Sequence, residues 1–360
     1  MEKTLIAMSG GVDSSLAAKL MVDKGFECIG CTMKLYRNED VGFERSRTCC
    51  SLDDVEDARS VAYKLGMPFY VFNFTDAFRE KVICKFIESY EKGITPNPCI
   101  DCNRYMKFEK LFERAKILGC DYIVTGHYAR IEEKDGKFVL KKAVDETKDQ
   151  SYVLYSMTQE QLSSTMFPLG NMRKAEVREI AEQNGFINAN KPDSQDICFV
   201  PDGDYAGIIE MHTGKPSAKG NFVDKEGNIL GKHKGVIHYT IGQRKGLGIS
   251  STEPLYVCHI CPKSNNIVLG SNDDLFSRET DVSDFNWISG EVPNNRFRCK
   301  AKIRYRQSEQ WATVIPTGAD TVHIVFDEPQ RAITPGQAAV LYDGDTVLGG
   351  GTIQNCLTNI

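Results

Sequence analysis

The stretch Ser9-Gly10-Gly11-Val12-Asp13-Ser14-Ser15 decides how the rest of the chain is read. It stands between a five-residue apolar run, residues 4–8, and a segment, residues 14–24, with Leu16, Leu20 and Met21 at helical spacing and Gly25 as the stop. Two glycines let a backbone turn sharply and approach a ligand, while serine hydroxyls and the open N–H groups of a helix start face an anion. The stretch is therefore a phosphate-binding device. It lacks the closing Gly-Lys-Ser/Thr of a P-loop, and no Gly-x-Gly-x-x-Gly of a dinucleotide fold is present.

Outward from this loop the same alternation repeats. Residues 26–33, 69–74 and 121–125 read as strands; residues 53–65 and 103–118 read as helices with apolar stripes, each followed by a glycine. A βαβα order implies a doubly wound parallel sheet with helices on both faces, whose ligands gather at the carboxyl ends of the strands. After about residue 200 glycines multiply and short strands alternate with turns such as Asp224–Asn228 and Asp343-Gly344-Asp345. The expected fold class is α/β: a catalytic domain over 1–200, a central β-rich module over 201–275, and a barrel-like β module over 276–360.

Length and composition agree. The 360 residues, 41% hydrophobic and 26% charged, suit two or three globular domains and exclude wholesale disorder. No apolar stretch approaches the ~20 residues of a membrane span, and the first residues lack a secretory pattern, so a cytoplasmic, membrane-free protein is expected. Thirteen cysteines cannot all pair within one chain, and a reducing compartment leaves them for packing, metal or catalysis. Cys28, Cys31, Cys49, Cys50, Cys84, Cys120, Cys258, Cys261, Cys299 and Cys356 read as small buried hydrophobes.

Three cysteines need another explanation. Cys99 and Cys102 lie in Thr95-Pro96-Asn97-Pro98-Cys99-Ile100-Asp101-Cys102-Asn103, just before the 103–118 helix, where a helix start favours thiolates. The spacing alone fits half a zinc site or a redox pair equally well, and Cys28/Cys31 and Cys258/Cys261 share it inside strands. Cys198 lies in Lys191-Pro192-Asp193-Ser194-Gln195-Asp196-Ile197-Cys198-Phe199, a polar loop context. A net charge of −5 does not suggest RNA, yet residues 296–306 place a cation at every second position. At ~3.3 Å per residue these make an expected basic strand face of about 33 Å, with Phe297, Cys299, Ala301, Ile303 and Tyr305 inward. Gln243-Arg244-Lys245-Gly246 adds a second basic loop.

The ordered set resembles the tRNA-specific 2-thiouridylase family, within the PP-loop ATP pyrophosphatases, over essentially the whole chain. It comprises Ser9–Ser15, Thr95–Asn103 with Lys107-Phe108, Thr125–Tyr128, Lys148–Tyr152, Asp193–Phe199, Gly242–Gly248, Arg304–Gln307 and Thr334–Gln337. The resemblance implies ATP-dependent 2-thiolation of the wobble uridine, position 34, of tRNA, with ATP, bound with Mg²⁺, consumed in adenylylating the 2-oxo group. It assigns Cys198 the transferred sulfur and Cys102 the resolving thiol. Ala7, Met8, Ser9, Gly10, Gly11, Val12, Asp13, Ser14, Met33 and Gly126 match ATP positions. Asn97, Pro98 and Cys99 match the stretch that meets the target base. His127, Lys148, Asp149, Gln150, Tyr305, Arg306 and Gln337 match tRNA contacts. Family members carry Asp or Cys at the place of Cys99; with Cys there, Cys99, Cys102 and Cys198 are also a conceivable ligand set for a 4Fe-4S cluster, although no metal site is assigned. The implied partners are tRNAs for Lys, Glu and Gln and a sulfur donor, a cysteine desulfurase or relay protein. A small-molecule PP-loop ligase would not need Cys102 or Cys198, and a zinc-dependent RNA-binding protein would not need the Ser9–Ser15 loop.

Overall fold

The computed structural model describes residues 1–41, 52–193, 197–200 and 203–354. Cys49, Cys50, Cys356 and the Ser194-Gln195-Asp196 part of the Cys198 motif lie outside the described residues. The first domain is built on strands β1 (Lys3–Ala7), β2 (Glu27–Lys34), β3 (Phe69–Asn73), β4 (Tyr122–Thr125) and β7 (Thr165–Met166). They pair in parallel in the order β3-β2-β1-β4-β7. The order reverses between β1 and β4, and a ligand crevice opens at such a switch point.

Side chains on a strand alternate between faces, and the core divides accordingly. Leu5, Ile29, Cys31 and Ile123 pack on one side of the sheet; Ile6, Cys28 and Val124 pack on the other. The second face is covered by α1 (Val12–Asp23), α2 (Leu52–Lys64) and α5 (Lys174–Gln183). The first is covered by two longer helices, α3 over 75–91 and α4 over 98–117, each carrying a wide-turn π-helical stretch, Arg79–Cys84 and Cys102–Lys110. The reading from sequence misses α3 and starts α4 late. Asn97 caps the helix by accepting from Cys99 N–H at 3.2 Å, and Pro98 occupies its first turn, so Cys99 and Cys102 lie inside the helix rather than before it.

A hairpin, β5 (Ala129–Lys134) and β6 (Lys137–Lys142), leaves the first domain and joins the C-terminal sheet through β17 (Thr346–Ile353). That sheet closes on itself: β12 (Phe276–Trp287), β15 (Val322–Arg331), β14 (Gln310–Pro316), β13 (Phe297–Lys302), β16 (Ala338–Asp343) and β17 pair in turn, and β17 pairs back to β12. Closure removes the exposed sheet edges. Between the two in sequence lies a sheet of β10 (Tyr256–Cys261), β11 (Asn266–Gly270), β8 (Gly220–Val223) and β9 (Ile229–His233), preceded by helix α6 (Tyr205–Thr213), which the glycine-rich composition conceals.

The basic stripe is shorter than expected. Only Arg298, Lys300 and Lys302 of its cations lie on β13, and the chain turns from Ile303 onward. Arg298 is paired to Asp327, Arg304 donates to Ala332 O and Thr334 Oγ1, and Tyr305 faces outward instead of packing inward. Among the remaining cysteines, Cys28, Cys31 and Cys299 are buried but Cys84 is exposed. Burial pushes the Cys258 thiol to about 11 and Cys299 to about 12, so neither is a ready nucleophile at neutral pH.

Candidate active site

The loop after β1 turns because Gly10 adopts φ +77°, and a Cβ there would lie 2.4 Å from the Asp54 carbonyl oxygen at the start of α2. Only glycine satisfies both demands. Ser14 then ties the loop to the helix start: its Oγ accepts from Ser9 N–H at 3.1 Å and donates to Gly11 O at 3.0 Å. Ser15 Oγ also donates to Gly11 O, at 3.1 Å. Gly126, at the end of β4, approaches so closely that a Cβ would stand 2.8 Å from Ser14 N. Ala7, Met8, Ser9, Gly10, Gly11, Val12, Asp13, Ser14 and Gly126 thus share the β1/β4 switch point, and Met33 ends the neighbouring β2.

A charged network surrounds this loop. Asp13 accepts from Tyr128 OH at 2.7 Å and from Lys174 Nζ at 2.6 and 2.7 Å. Lys174 reaches on to Asp193 at 2.9 Å, and Asp193 also accepts from Lys148 at 2.7 Å and Arg178 at 2.9 Å. Although partial burial opposes ionisation of Asp193, these cations win and hold its carboxyl near 2. Sequence reasoning assigns no role to Lys174, Arg178 or Asn188. The spacing of Lys174 and Arg178, four apart on one helical face, is the signal that would have found the first two.

The cysteines occupy the other side of the sheet. Cys102 and Cys198 are part-buried against one hydrophobic cluster that also receives Met33. Cys198 sits in a turn closed by Val200 N–H donating to Ile197 O at 2.8 Å, and Tyr36 OH donates to its carbonyl at 3.0 Å. Among the described residues no group of three His, Cys, Asp or Glu side chains is placed to hold a metal ion.

The barrel docks onto the segment leading to Cys99. Thr95 N–H donates to Pro335 O at 3.0 Å, and Gln337 Nε2 donates to Thr95 O at 2.9 Å. Tyr305 OH donates to Asp149 O at 3.1 Å, and Lys302 stands 5.7 Å from the rings of Tyr152 and Tyr305. Arg306 is exposed beside them. Asp149 and Gln150 hold backbone: Asp149 accepts from Ala143 N–H and Ser151 N–H, and Gln150 from Tyr128 N–H. His127 is 7% exposed. Its ring lies 2.6 Å from Thr125 Oγ1 and 3.2 Å from Lys107 Nζ, and burial with that lysine pushes its pKa well down. A neutral imidazole satisfies both neighbours by accepting at Nε2 and donating from Nδ1.

Residues 2–202 match the tRNA methyl transferase HUP domain, residues 209–271 the tRNA methyl transferase PRC-barrel domain, and residues 277–353 the aminomethyltransferase β-barrel domain. A HUP-type parallel sheet with an anion-binding loop at its switch point defines a PP-loop nucleotide-binding protein. The chain is 54% identical over 358 residues, 99% of each chain, to the tRNA-specific 2-thiouridylase MnmA of Clostridioides difficile. It is 50% identical to the protein of that name from Clostridium acetobutylicum, over 98% of this chain and 99% of that one, and 51% identical to that of Acetivibrio thermocellus, over the same shares. The chain belongs to the tRNA-specific 2-thiouridylase family.

Proposed function

We propose that this protein replaces the 2-oxygen of the wobble uridine of tRNA by sulfur, at the expense of ATP. The observation that carries the reading is the pairing, in one domain, of the Gly10 loop at the β1/β4 crevice with Cys102 and Cys198 against one core cluster, in a chain 54% identical to a 2-thiouridylase. Methyl transfer, the reaction in the family descriptions, would not need Cys102 or Cys198; two part-buried cysteines in the domain that carries the anion-binding loop favour thiolation.

The 2-oxygen of the uracil attacks the α-phosphorus of ATP, the bond to the β-phosphate breaks, and pyrophosphate leaves. The loop's N–H groups and helix dipole stabilise the phosphate charge, with Mg²⁺ arriving as part of the nucleotide. The terminal sulfur of a persulfide on Cys198 then attacks C2 and expels AMP. The Cys102 thiolate attacks the Cys198 sulfur, leaving the transferred sulfur on the base and joining Cys102 to Cys198. An external dithiol returns the two electrons that reopen the disulfide. Asn97, Pro98 and Cys99 face the base, and Lys148, Tyr305, Arg306 and Gln337 hold the tRNA around it, with His127, Asp149 and Gln150 setting the backbone of that surface. The tRNAs are those for Lys, Glu and Gln, and the persulfide comes from a cysteine desulfurase or relay protein in the cytoplasm.

The test is Cys102→Ala and Cys198→Ala in a thiolation assay with ATP, tRNA and a persulfide donor. Each is expected to abolish thiouridine while leaving ATP binding intact. Normal turnover in either variant would overturn the scheme.

A further inference from the structure

A row of rings and cations crosses the outer face of the barrel, starting beside the Cys99 stretch. Tyr305 begins it: burial, Asp149 and the Cys99 thiol push the pKa of its hydroxyl up, so the ring stands within the field of that thiol. Lys302 follows, 5.7 Å from the Tyr305 ring. Cys299 and Ala301 point into the barrel core, so Arg298, Lys300 and Lys302 point out, with Lys300 and Lys302 roughly 7 Å apart along β13. Directly across from Lys300 on β14 is Trp311, whose ring centre lies 5.7 Å from Lys300 Nζ.

Trp311 is 52% exposed, whereas the protein's other tryptophan, Trp287, is 7% exposed and packs against Phe285 and Phe297. A single exposed indole needs no explanation of its own. Its setting is what asks for one. Arg298 sits 5.8 Å from the indole and is neutralised by Asp327 on β15, to which both terminal nitrogens donate at 2.6 Å. Lys142 is likewise neutralised by Glu309. Among the described residues neither Lys300 nor Lys302 forms an ion pair, so two positive charges remain between the Tyr305 and Trp311 rings.

Cations interleaved with rings fit a single strand of nucleic acid, because the cations take phosphates and a ring takes the face of a base. A paired base keeps its faces inside the stack, so the stem of a tRNA has nothing to lay on Trp311; an unpaired base has. We infer that Trp311 is a stacking site for an unpaired base of the anticodon loop, with Lys300 and Lys302 on the phosphates that lead to it from the target uridine. The inference rests on the thiolation reading for the identity of its RNA. It adds a second base held by the enzyme besides the one that is modified.

The two-tryptophan composition supplies the probe. Full-length protein is titrated with a tRNA transcript while indole emission and its quenching by acrylamide are followed, in the wild type and in Trp287→Phe, where Trp311 is the reporter. Saturating tRNA is expected to quench the emission of Trp311 and to shield it from acrylamide. In filter binding, Trp311→Ala is expected to raise the Kd for tRNA at least about fivefold, the share of one stacked base, with the salt slope and the KM for ATP unaltered. Trp311→Phe keeps a ring and is expected to recover part of the loss, while Lys300→Gln is expected to lower the salt slope by about one. Among tRNAs each lacking one anticodon-loop base, one is expected to bind the wild type and Trp311→Ala equally. Trp311 emission and acrylamide access indifferent to saturating tRNA would overturn the inference, as would wild-type tRNA affinity in Trp311→Ala. Quenching by a persulfide donor protein in place of tRNA would overturn it too, by making the ring a protein contact. Should Trp287→Phe fail to fold, the difference in emission between wild type and Trp311→Phe gives the same reading. Failure of the thiolation reading would show separately, as wild-type protein that makes no thiouridine in the transcript; thiouridine made with Trp311 undisturbed sinks this inference alone.

Discussion

Replacing Gly10 by alanine should separate backbone strain from steric collision at the anion loop, when compared with Gly25→Ala. Both glycines are left-handed, at φ +77° and +82°, so both substitutions carry the same conformational penalty of ~1–2 kcal/mol. They differ in surroundings. A Cβ at Gly25 meets nothing within 4 Å, whereas one at Gly10 lies 2.4 Å from Asp54 O, 2.8 Å from its Cα and 2.9 Å from its carbonyl carbon. The obstacle is backbone and cannot rotate away. To regain an ordinary contact the start of α2 must retreat by about 1 Å, a rearrangement of the overpacking kind that adds ~1–3 kcal/mol. For a domain of this size ~2–4 °C accompanies each kcal/mol, so calorimetry should show Gly10→Ala melting at least ~2 °C, and up to ~12 °C, below Gly25→Ala. Titration calorimetry with ATP should show affinity kept in Gly25→Ala and reduced at least about tenfold in Gly10→Ala, because the same retreat opens the loop. Equal melting temperatures and equal ATP affinities in the two variants would refute the reasoning.

Other expectations follow from single contacts. His127 is kept neutral by burial while an unfolded histidine titrates near ~6.5; the unfolded chain takes up a proton that the folded one refuses, so stability should fall as pH drops below ~6.5. His127→Gln should flatten that limb in denaturant titrations at pH 5 to 7, and an unchanged slope would remove the assignment. Gln337→Ala loses its bond to Thr95 O, worth about 1 kcal/mol, and should raise KM for tRNA about fivefold with KM for ATP unchanged. Lys302→Met removes a cation beside Tyr152 and Tyr305 and should reduce the dependence of tRNA affinity on salt, measured by filter binding; an unaltered salt slope would place Lys302 away from the phosphates.

Much of the fold was legible because local rules agree with tertiary ones in the first domain. The strand reading over 4–8, 26–33, 69–74 and 121–125 lies within a residue of β1 to β4: β1, β2 and β4 are buried parallel strands and therefore near-continuous apolar runs, and β3, a half-exposed edge strand, still carries aromatic and β-branched residues between turns. The glycines at 25, 66 and 119 all adopt positive φ where helices end. The π-helical stretch of α3 shifts its apolar period away from 3.6 and that helix passes unnoticed, whereas the reading over 103–118 spans all but the first residue of the π-helical stretch in α4 and misses only the opening turn at Pro98–Asp101. The 296–306 stripe misled for a different reason: alternation specifies a strand only while pairing partners last, and β13 runs out of partners at Lys302. Within the candidate site, the loop was visible because glycine and serine serve a backbone function. The network of Asp13, Tyr128, Lys174 and Asp193 was not, because it joins residues up to 180 positions apart that ordinary lysines and aspartates supply without a local pattern.

The most direct test of the whole account is nucleoside mass spectrometry of a tRNA transcript incubated with ATP and iron-free protein whose Cys198 has been charged with persulfide. The account expects 2-thiouridine at the wobble position, with AMP and pyrophosphate released in equal amounts and no product when ATP is left out. Thiouridine formed only by protein reconstituted with iron and sulfide would contradict the persulfide scheme, and a wobble uridine left unmodified by both preparations would contradict the function itself.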